Sequence, residues 1–449
     1  MKHALLSLVL VSGTLSAQSY TKLSGPLPTS SSVLESWTLT PDGARAVFLR
    51  LDDSGARGVF SAPLDGASEI ALSASLVGTP QGFALGPDGS RVVVHTRSGS
   101  SSTRVDRLYS VPIGGGTRTL LVEGALQVLI HSFQIAPSGS RVVYHAGLLG
   151  GPRELWSVPL DGSTPPVRLN EPLPPGRTVL DAYRISHGGL RTFYVADQDA
   201  DDVFDLYSVP TDRSQPPVRL NTSQPWADVT SFALAFDSLS VVYRSDQDTD
   251  ETFELYVTST LGGFTPLRRS GPLVAGGDVT SFQLAAASHR LVFLADAEED
   301  ERFELYALDP TAPGARVKLS GSLASDRDVL DARVSADGLR VVYRSDEDTD
   351  GQAELHGVPA TGGTPVRLNG PLAAGESILP DYAIEDASGH VLFHRDMVAP
   401  MAYDARQLYG APLDGSQPAR RLNGELVERG NATLLAARSD GVLFRATEV

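Results

Sequence analysis

The stretch "DARVSADGLRVVYRSDEDTDGQAELHGVPATGGTPVRLNGPL", Asp331 to Leu372, holds four short runs rich in Val, Leu, Arg and Tyr, separated by an Asp-Gly turn, an acidic turn and a Gly-Gly turn. Such runs bounded by turn residues read as β-strands. We label them a ("DARVS"), b ("RVVYR"), c ("ELHGVP") and d ("PVRLN"). Outside the first residues of the chain, no segment shows a 3.6-residue apolar period, so helices are not expected.

The unit recurs. The residues closing each strand b are Phe48, Val94, Tyr144, Tyr194, Tyr243, Phe293, Tyr343, Phe393 and Phe444, at steps of 46, 50, 50, 49, 50, 50, 50 and 51. The "ELY"-like and "VRLNGPL"-like segments keep the same period. A four-stranded antiparallel unit of this length, repeated, is the signature of a β-propeller. Strand d of a further unit is read in "YTKLSGPL" near the start, and strands a and b in "LLAARSDGVLFRATEV" at the end. Joined, they give a composite blade, so the expectation is eight complete blades plus a composite ninth, with an eight-bladed ring as the alternative. Closure of that kind removes an exposed sheet edge.

Composition narrows the function. Across 449 residues, 41% hydrophobic residues suffice for a packed core, and a net charge of −17 argues against binding a phosphate backbone. Nucleic acid is therefore not an expected partner. Lys2 and His3, the apolar run "ALLSLVLV" and the small residues of "SGTLSA" read as a signal peptide over 1–17, leaving one propeller domain over 18–449. No other long apolar segment follows, so no transmembrane segment is expected. The chain has no cysteine, hence no disulfide framework. An exported monomer, periplasmic or extracellular, is the expectation.

The segments "LTPDGARAVF", "LGPDGSRVVV", "IAPSGSRVVY" and "VSADGLRVVY", followed by "LYSVP" and "VRLN", resemble the WD-like repeats of TolB-type propellers over nearly the whole of 18–449. The resemblance implies the fold and leaves the activity open, because such blades serve many functions. Two departures stand out: the Tol-system protein carries an α/β domain ahead of its propeller, and propeller-bearing serine peptidases carry a hydrolase domain. This sequence shows neither pattern.

Four consecutive units carry an acidic loop between strands b and c, with acids at loop positions 1, 3, 5 and 9: Asp197, Asp199, Asp201 and Asp205; Asp246, Asp248, Asp250 and Glu254; Asp296, Glu298, Asp300 and Glu304; Asp346, Asp348, Asp350 and Glu354. Alternating carboxylates on a tight turn can converge on a hard cation that takes six to eight oxygens, which makes calcium the candidate cofactor. The spacing is similar to the D-x-D-x-D-G-x-x-D loops of integrin-type propellers. Only the last loop has glycine at position 6, Gly351; Asp202, Glu251 and Glu301 stand there in the others. The competing reading is a solvated hairpin turn, since Asp caps turns through its own side chain and repeats copy neutral features.

The d-to-a connections add Asp228, Asp278, Asp328 and Glu376 to the same expected face. Such crowding of carboxylates is costly unless a cation or a basic partner neutralises it. The expectation is a non-catalytic module that binds a protein or peptide on this acidic face, with calcium ordering the loops. Two alternatives stand beside it: a hydrolase or lyase with its site in the central funnel, and a structural envelope component. No G-x-S-x-G elbow and no H-E-x-x-H helix is present. His95, His145 and His394 share a repeat position with Arg244, Arg344 and Arg445, which reads as a polar-tolerant position and not as a shared catalytic site. Trp226, in a d-to-a connection, is either a ligand platform or a loop anchor.

Overall fold

The computed structural model describes residues 32–51, 56–285, 288–310, 315–386, 388–397, 405–423, 432–438 and 441–446. The expected signal peptide and the strand read in "YTKLSGPL" lie outside the described residues. Among those described there is no helix, so none is long and apolar enough to cross a membrane.

The strands form eight antiparallel sheets in the order a, b, c, d, followed by a two-stranded sheet of Ala432–Arg438 and Gly441–Ala446. This is a β-propeller of eight complete blades and a partial ninth. In blade 8 the first strand is broken into Ser377–Ile378 and Ala383–Glu385, both paired with His390–Met397. Strand d is only two residues long in seven of the eight blades, for example Val218–Arg219, Leu267–Arg268, Val317–Lys318 and Val366–Arg367; blade 2 alone extends it, over Thr119–Glu123.

Strands b and c are buried or half-buried along most of their length because both of their faces are covered. In strand b of blade 7 (Arg340–Ser345), Val341 and Tyr343 pack with Val292 and Leu305 of blade 6, whereas Val342 packs with Val391 and Phe393 of blade 8. Alternation along the strand thus feeds two cores at once. The hydrophobic core is a series of layers between blades, each repeated with the sequence period. Burial of one such Val or Leu stabilises the fold by about 1.5–3 kcal/mol.

The aromatic residues of the repeat meet across strands b and c. Tyr194–Tyr207, Tyr243–Tyr256, Phe293–Tyr306 and Phe393–Tyr409 stack with ring centroids 5.4, 5.5, 5.6 and 5.8 Å apart. Each pair occupies directly opposed positions of the antiparallel ladder. In blade 7 the partner of Tyr343 is His356, at 5.3 Å.

The His/Arg position also has a structural use. His145 Nε2 lies 2.9 Å from the Val179 carbonyl, Arg344 Nη1 donates to the Ile378 carbonyl at 2.8 Å, and Arg244 Nε donates to the Val279 carbonyl. Each acceptor opens the next blade, so His and Arg interchange because either supplies a donor across the boundary. His95 instead meets the buried Asp106, 3.1 Å away, which also takes Arg97 at 2.7 Å and the Ile130 N–H of the next blade at 2.9 Å. Burial raises the Asp106 carboxyl, but these three donors more than offset it and hold it below its ordinary value.

Candidate functional site: the acidic loops of blades 4 to 7

The four acids of each loop do different jobs. The first is buried and holds the backbone. Asp246 Oδ1 accepts the Asp228 N–H at 2.7 Å and its Oδ2 the Glu251 N–H at 3.4 Å. Asp346 does the same with Asp328 (2.8 Å) and Gly351 (3.2 Å), and Asp296 with Asp278 and Glu301. In blade 4, Asp197 Oδ1 accepts the Thr178 N–H at 2.6 Å.

The acids of the d-to-a connections complete this pattern. The N–H of loop position 8 donates to them: Phe204 to Asp228 (2.9 Å), Phe253 to Asp278 (2.6 Å) and Phe303 to Asp328 (2.8 Å). Each connecting aspartate therefore accepts from the loop behind it and donates its own N–H to the first acid of the loop ahead. The result is a latch of backbone-to-carboxylate bonds that crosses each boundary from blade 4 to blade 7. Charge-assisted bonds of this kind satisfy turn N–H groups that no strand can reach.

The ninth acid is buried at the start of strand c and faces the cation of strand d. Arg219 Nη1 lies 3.5 Å from Asp205 and 3.3 Å from the third-position Asp199. Arg268 meets Glu254 at 3.2 Å, Lys318 meets both Glu304 and Glu298, and Arg367 meets Glu354 at 3.1 Å and Asp348 at 3.3 Å. A phenol from strand c also donates in three blades, Tyr207 to Asp205 (3.5 Å), Tyr256 to Glu254 (3.3 Å) and Tyr306 to Glu304 (2.6 Å), and Asp205 accepts further from Asn221 Nδ2 (2.7 Å) and Ser223 Oγ (3.0 Å). Burial pushes Asp205 and Glu254 above their ordinary values despite these partners.

Blade 7 departs from this arrangement at two positions. His356 replaces the strand-c tyrosine, and Glu347 stands at loop position 2, where the other loops carry Gln198, Gln247 and Ala297. His356 Nε2 lies 3.2 Å from Glu347 Oε1 and 3.9 Å from Asp348 Oδ2, and its Nδ1 lies 3.3 Å from Ser345 Oγ. Burial lowers the His356 imidazole to about 4, so at neutral pH it is uncharged and its contact with Glu347 is a hydrogen bond. Burial raises Glu354 to about 7, and the neighbouring Asp348 adds to the rise. Glu354 Oε2 is buried without a hydrogen-bond partner. Among the described residues, Asp348, Glu354 and His356 form the one group of three acid or imidazole side chains whose ligand atoms lie within 4.8 Å of one another.

The remaining acids face solvent. Asp199, Asp201 and Asp202 in blade 4, Asp248, Asp250 and Glu251 in blade 5, Glu298 to Glu301 in blade 6, and Asp348 and Asp350 in blade 7 are exposed, at the same end of the blades as the d-to-a connections. Trp226 is exposed among them, at 45%. The sequence-expected set is thus divided: the first acids join the backbone, the third and fifth form a solvent-facing rim, and the ninth are buried beside strand d. Loop spacing missed Glu347 and His356; aligning the repeats position by position would have marked both as changes peculiar to one blade.

No protein-family model matches the chain, and no curated protein matches it by sequence. The resemblance to TolB-type propellers accordingly rests on the blade motifs alone. By structure, the chain is similar to dipeptidyl peptidase 4 of Porphyromonas gingivalis, with a TM-score of 0.57 and 12% identity over 86% of this chain and 59% of that one. A structure from work on two prolyl endopeptidases matches with a TM-score of 0.42 and 14% identity over 80% of this chain and 53% of that one. The chain spans less than two thirds of each, and at these identities the first likeness speaks to the fold alone.

Proposed function

We propose that this chain is an exported, non-catalytic propeller of the TolB-like, WD-like-repeat kind that binds a cationic protein or peptide segment across the acidic rim of blades 4 to 7. The observation that carries the reading is the division of labour within the loops: once the first and ninth acids are assigned to the fold, the third and fifth in four successive blades still face solvent, although the third shares the strand-d cation in blades 4, 6 and 7. A solvent-facing arc of one sign attracts the opposite sign and orients its approach. Trp226, exposed on the same face, supplies an apolar contact for such a segment. The likeness to a dipeptidyl peptidase, a protein named for acting on peptides, supports a peptide as the ligand class.

Calcium is the small cation we propose for the same rim, as a neutralising ion shared by third- and fifth-position acids. Both carboxylate oxygens of Asp246, Asp296 and Asp346 already accept backbone N–H groups. A calcium shell in these loops would therefore draw mainly on the exposed acids and on water.

The test is calorimetric titration of the chain with a Lys/Arg-rich peptide and a neutral peptide of equal length, at low and physiological salt. Saturable binding of the basic peptide alone, weakened about tenfold or more by the salt and by the triple change Asp250→Lys, Asp300→Lys and Asp350→Lys, is the expected result. Equal binding of both peptides, or none of the basic one, would overturn the reading. Thermal melts in chelator and across a calcium series, with magnesium and salt controls, test the ion separately. A saturable, calcium-selective rise in Tm supports it; a rise matched by salt dismisses it.

A further inference from the structure

We propose that blade 7 holds a site for a divalent first-row transition metal, with zinc as its representative, built from His356 Nε2, Glu354 Oε2 and an Asp348 carboxylate oxygen. Glu347 lies beside the imidazole as a fourth donor, through oxygen. The inference stands apart from the rim-binding reading, because these atoms lie between strands and not on the exposed arc alone.

Three independent observations carry it. One ligand atom from each of the three side chains already lies within 4.8 Å of the other two. Glu354 is 2% exposed, and its Oε2 has no hydrogen-bond partner. A buried carboxylate oxygen left unpaired is costly unless something occupies its lone pairs. The comparison between blades supplies the third. In blades 4 to 6 a tyrosine hydroxyl donates to the equivalent acid. In blade 7 the tyrosine is replaced by histidine, and the loop's second residue becomes glutamate, so both changes bring a metal-ligand type to the same few ångströms.

Charge points the same way. Asp348 and Glu354 share Arg367, with the Glu347 carboxylate beside them on His356, whereas in blade 6 Glu298 and Glu304 share Lys318 and Glu304 also meets Arg302. Arg367 binds Glu354 through Oε1, which leaves Oε2 to the metal. An imidazole nitrogen among carboxylates suits zinc and its neighbours, while calcium takes oxygen ligands and gains nothing from it. Ser345 Oγ, 3.3 Å from Nδ1, can accept an Nδ1 proton, so a metal that displaces the Nε2 hydrogen bond to Glu347 would find a tautomer with the Nε2 lone pair available.

The test uses the full chain stripped with a chelator. Zinc is added in competition with a colorimetric chelator, and cobalt(II) is added in a parallel series read by visible absorption. The expected result is one equivalent of zinc bound above the background of exposed acids, unmoved by a large excess of calcium, with intense cobalt bands typical of a nitrogen-containing, low-coordinate site. His356→Tyr should abolish that equivalent, and Glu347→Gln should weaken it about tenfold or more. These variants restore the residues of blade 5, so they keep the packing that blade 5 already tolerates. The absence of a zinc equivalent, its displacement by matched calcium, or its survival in His356→Tyr would each overturn the site. The cobalt series on the unaltered chain decides the matter even if a variant fails to fold.

Discussion

At the scale of single residues, the sixth position of the acidic loops shows what the turn demands. Gly351 has φ +66°, and the residues that stand in its place elsewhere, Asp202, Glu251 and Glu301, have φ of +54°, +59° and +61°. All four loops therefore use the left-handed conformation, which side chains other than glycine adopt at a cost. Glycine at this position was legible in the sequence as a turn-easing residue. That acidic residues adopt the same backbone was not, because φ is set by the chain on either side. Glu301→Gly should raise stability by about 0.5–1 kcal/mol over Glu301→Ala, which removes the same charge without relieving the backbone; urea denaturation of the two variants checks it. Gly351→Ala should lower stability by about 1 kcal/mol in the same assay.

The loop and its connections form the next scale. The strands and their period could be read directly, since alternation, turn residues and a 50-residue repeat are local patterns. The role of the first acid could not be read: its partners, such as Asp278 for Asp296, lie in a neighbouring blade's connection, and spacing within one loop says nothing about a donor across the boundary. The same limit applies to Glu354, whose unpartnered Oε2 follows from burial and contacts that loop spacing does not encode. The latch makes a direct prediction. Asp296→Ala removes an acceptor for the N–H groups of Asp278 and Glu301 and should cost about 2 kcal/mol or more. Asp300→Ala, one turn away on the exposed rim, should change stability by less than about 0.5 kcal/mol. Equal effects in denaturation experiments would mean that the first acid is no latch.

Over the whole molecule, the two ends of the blades are held by different chemistry. In blades 1 to 4 an arginine opening strand b donates to a serine hydroxyl of strand c, as Arg45 to Ser61 (2.9 Å), Arg91 to Ser110 (2.6 Å), Arg141 to Ser157 (2.7 Å) and Arg191 to Ser208 (2.8 Å). Blades 4 to 7 hold the opposite end with carboxylates. Acidic side chains are thereby gathered on one sector of a chain whose net charge is already −17. Screening of that self-repulsion should raise Tm as sodium chloride increases from about 20 to 300 mM. The rise should shrink when Asp250, Asp300 and Asp350 are replaced by asparagine; a flat or falling Tm would show that favourable ion pairs outweigh the rim.

The two-residue outer strands have a consequence for the protein's life in solution. A full-length outer strand would offer a neighbouring molecule a row of free N–H and C=O groups, the template on which sheets of separate molecules fuse. Here each of blades 4 to 7 offers at most a rung or two, one residue of which is an arginine or a lysine and the other an exposed valine or leucine. A molecule approaching edge to edge finds little free backbone to pair with, so a chain made almost wholly of β-structure is fenced against fibre growth along these edges.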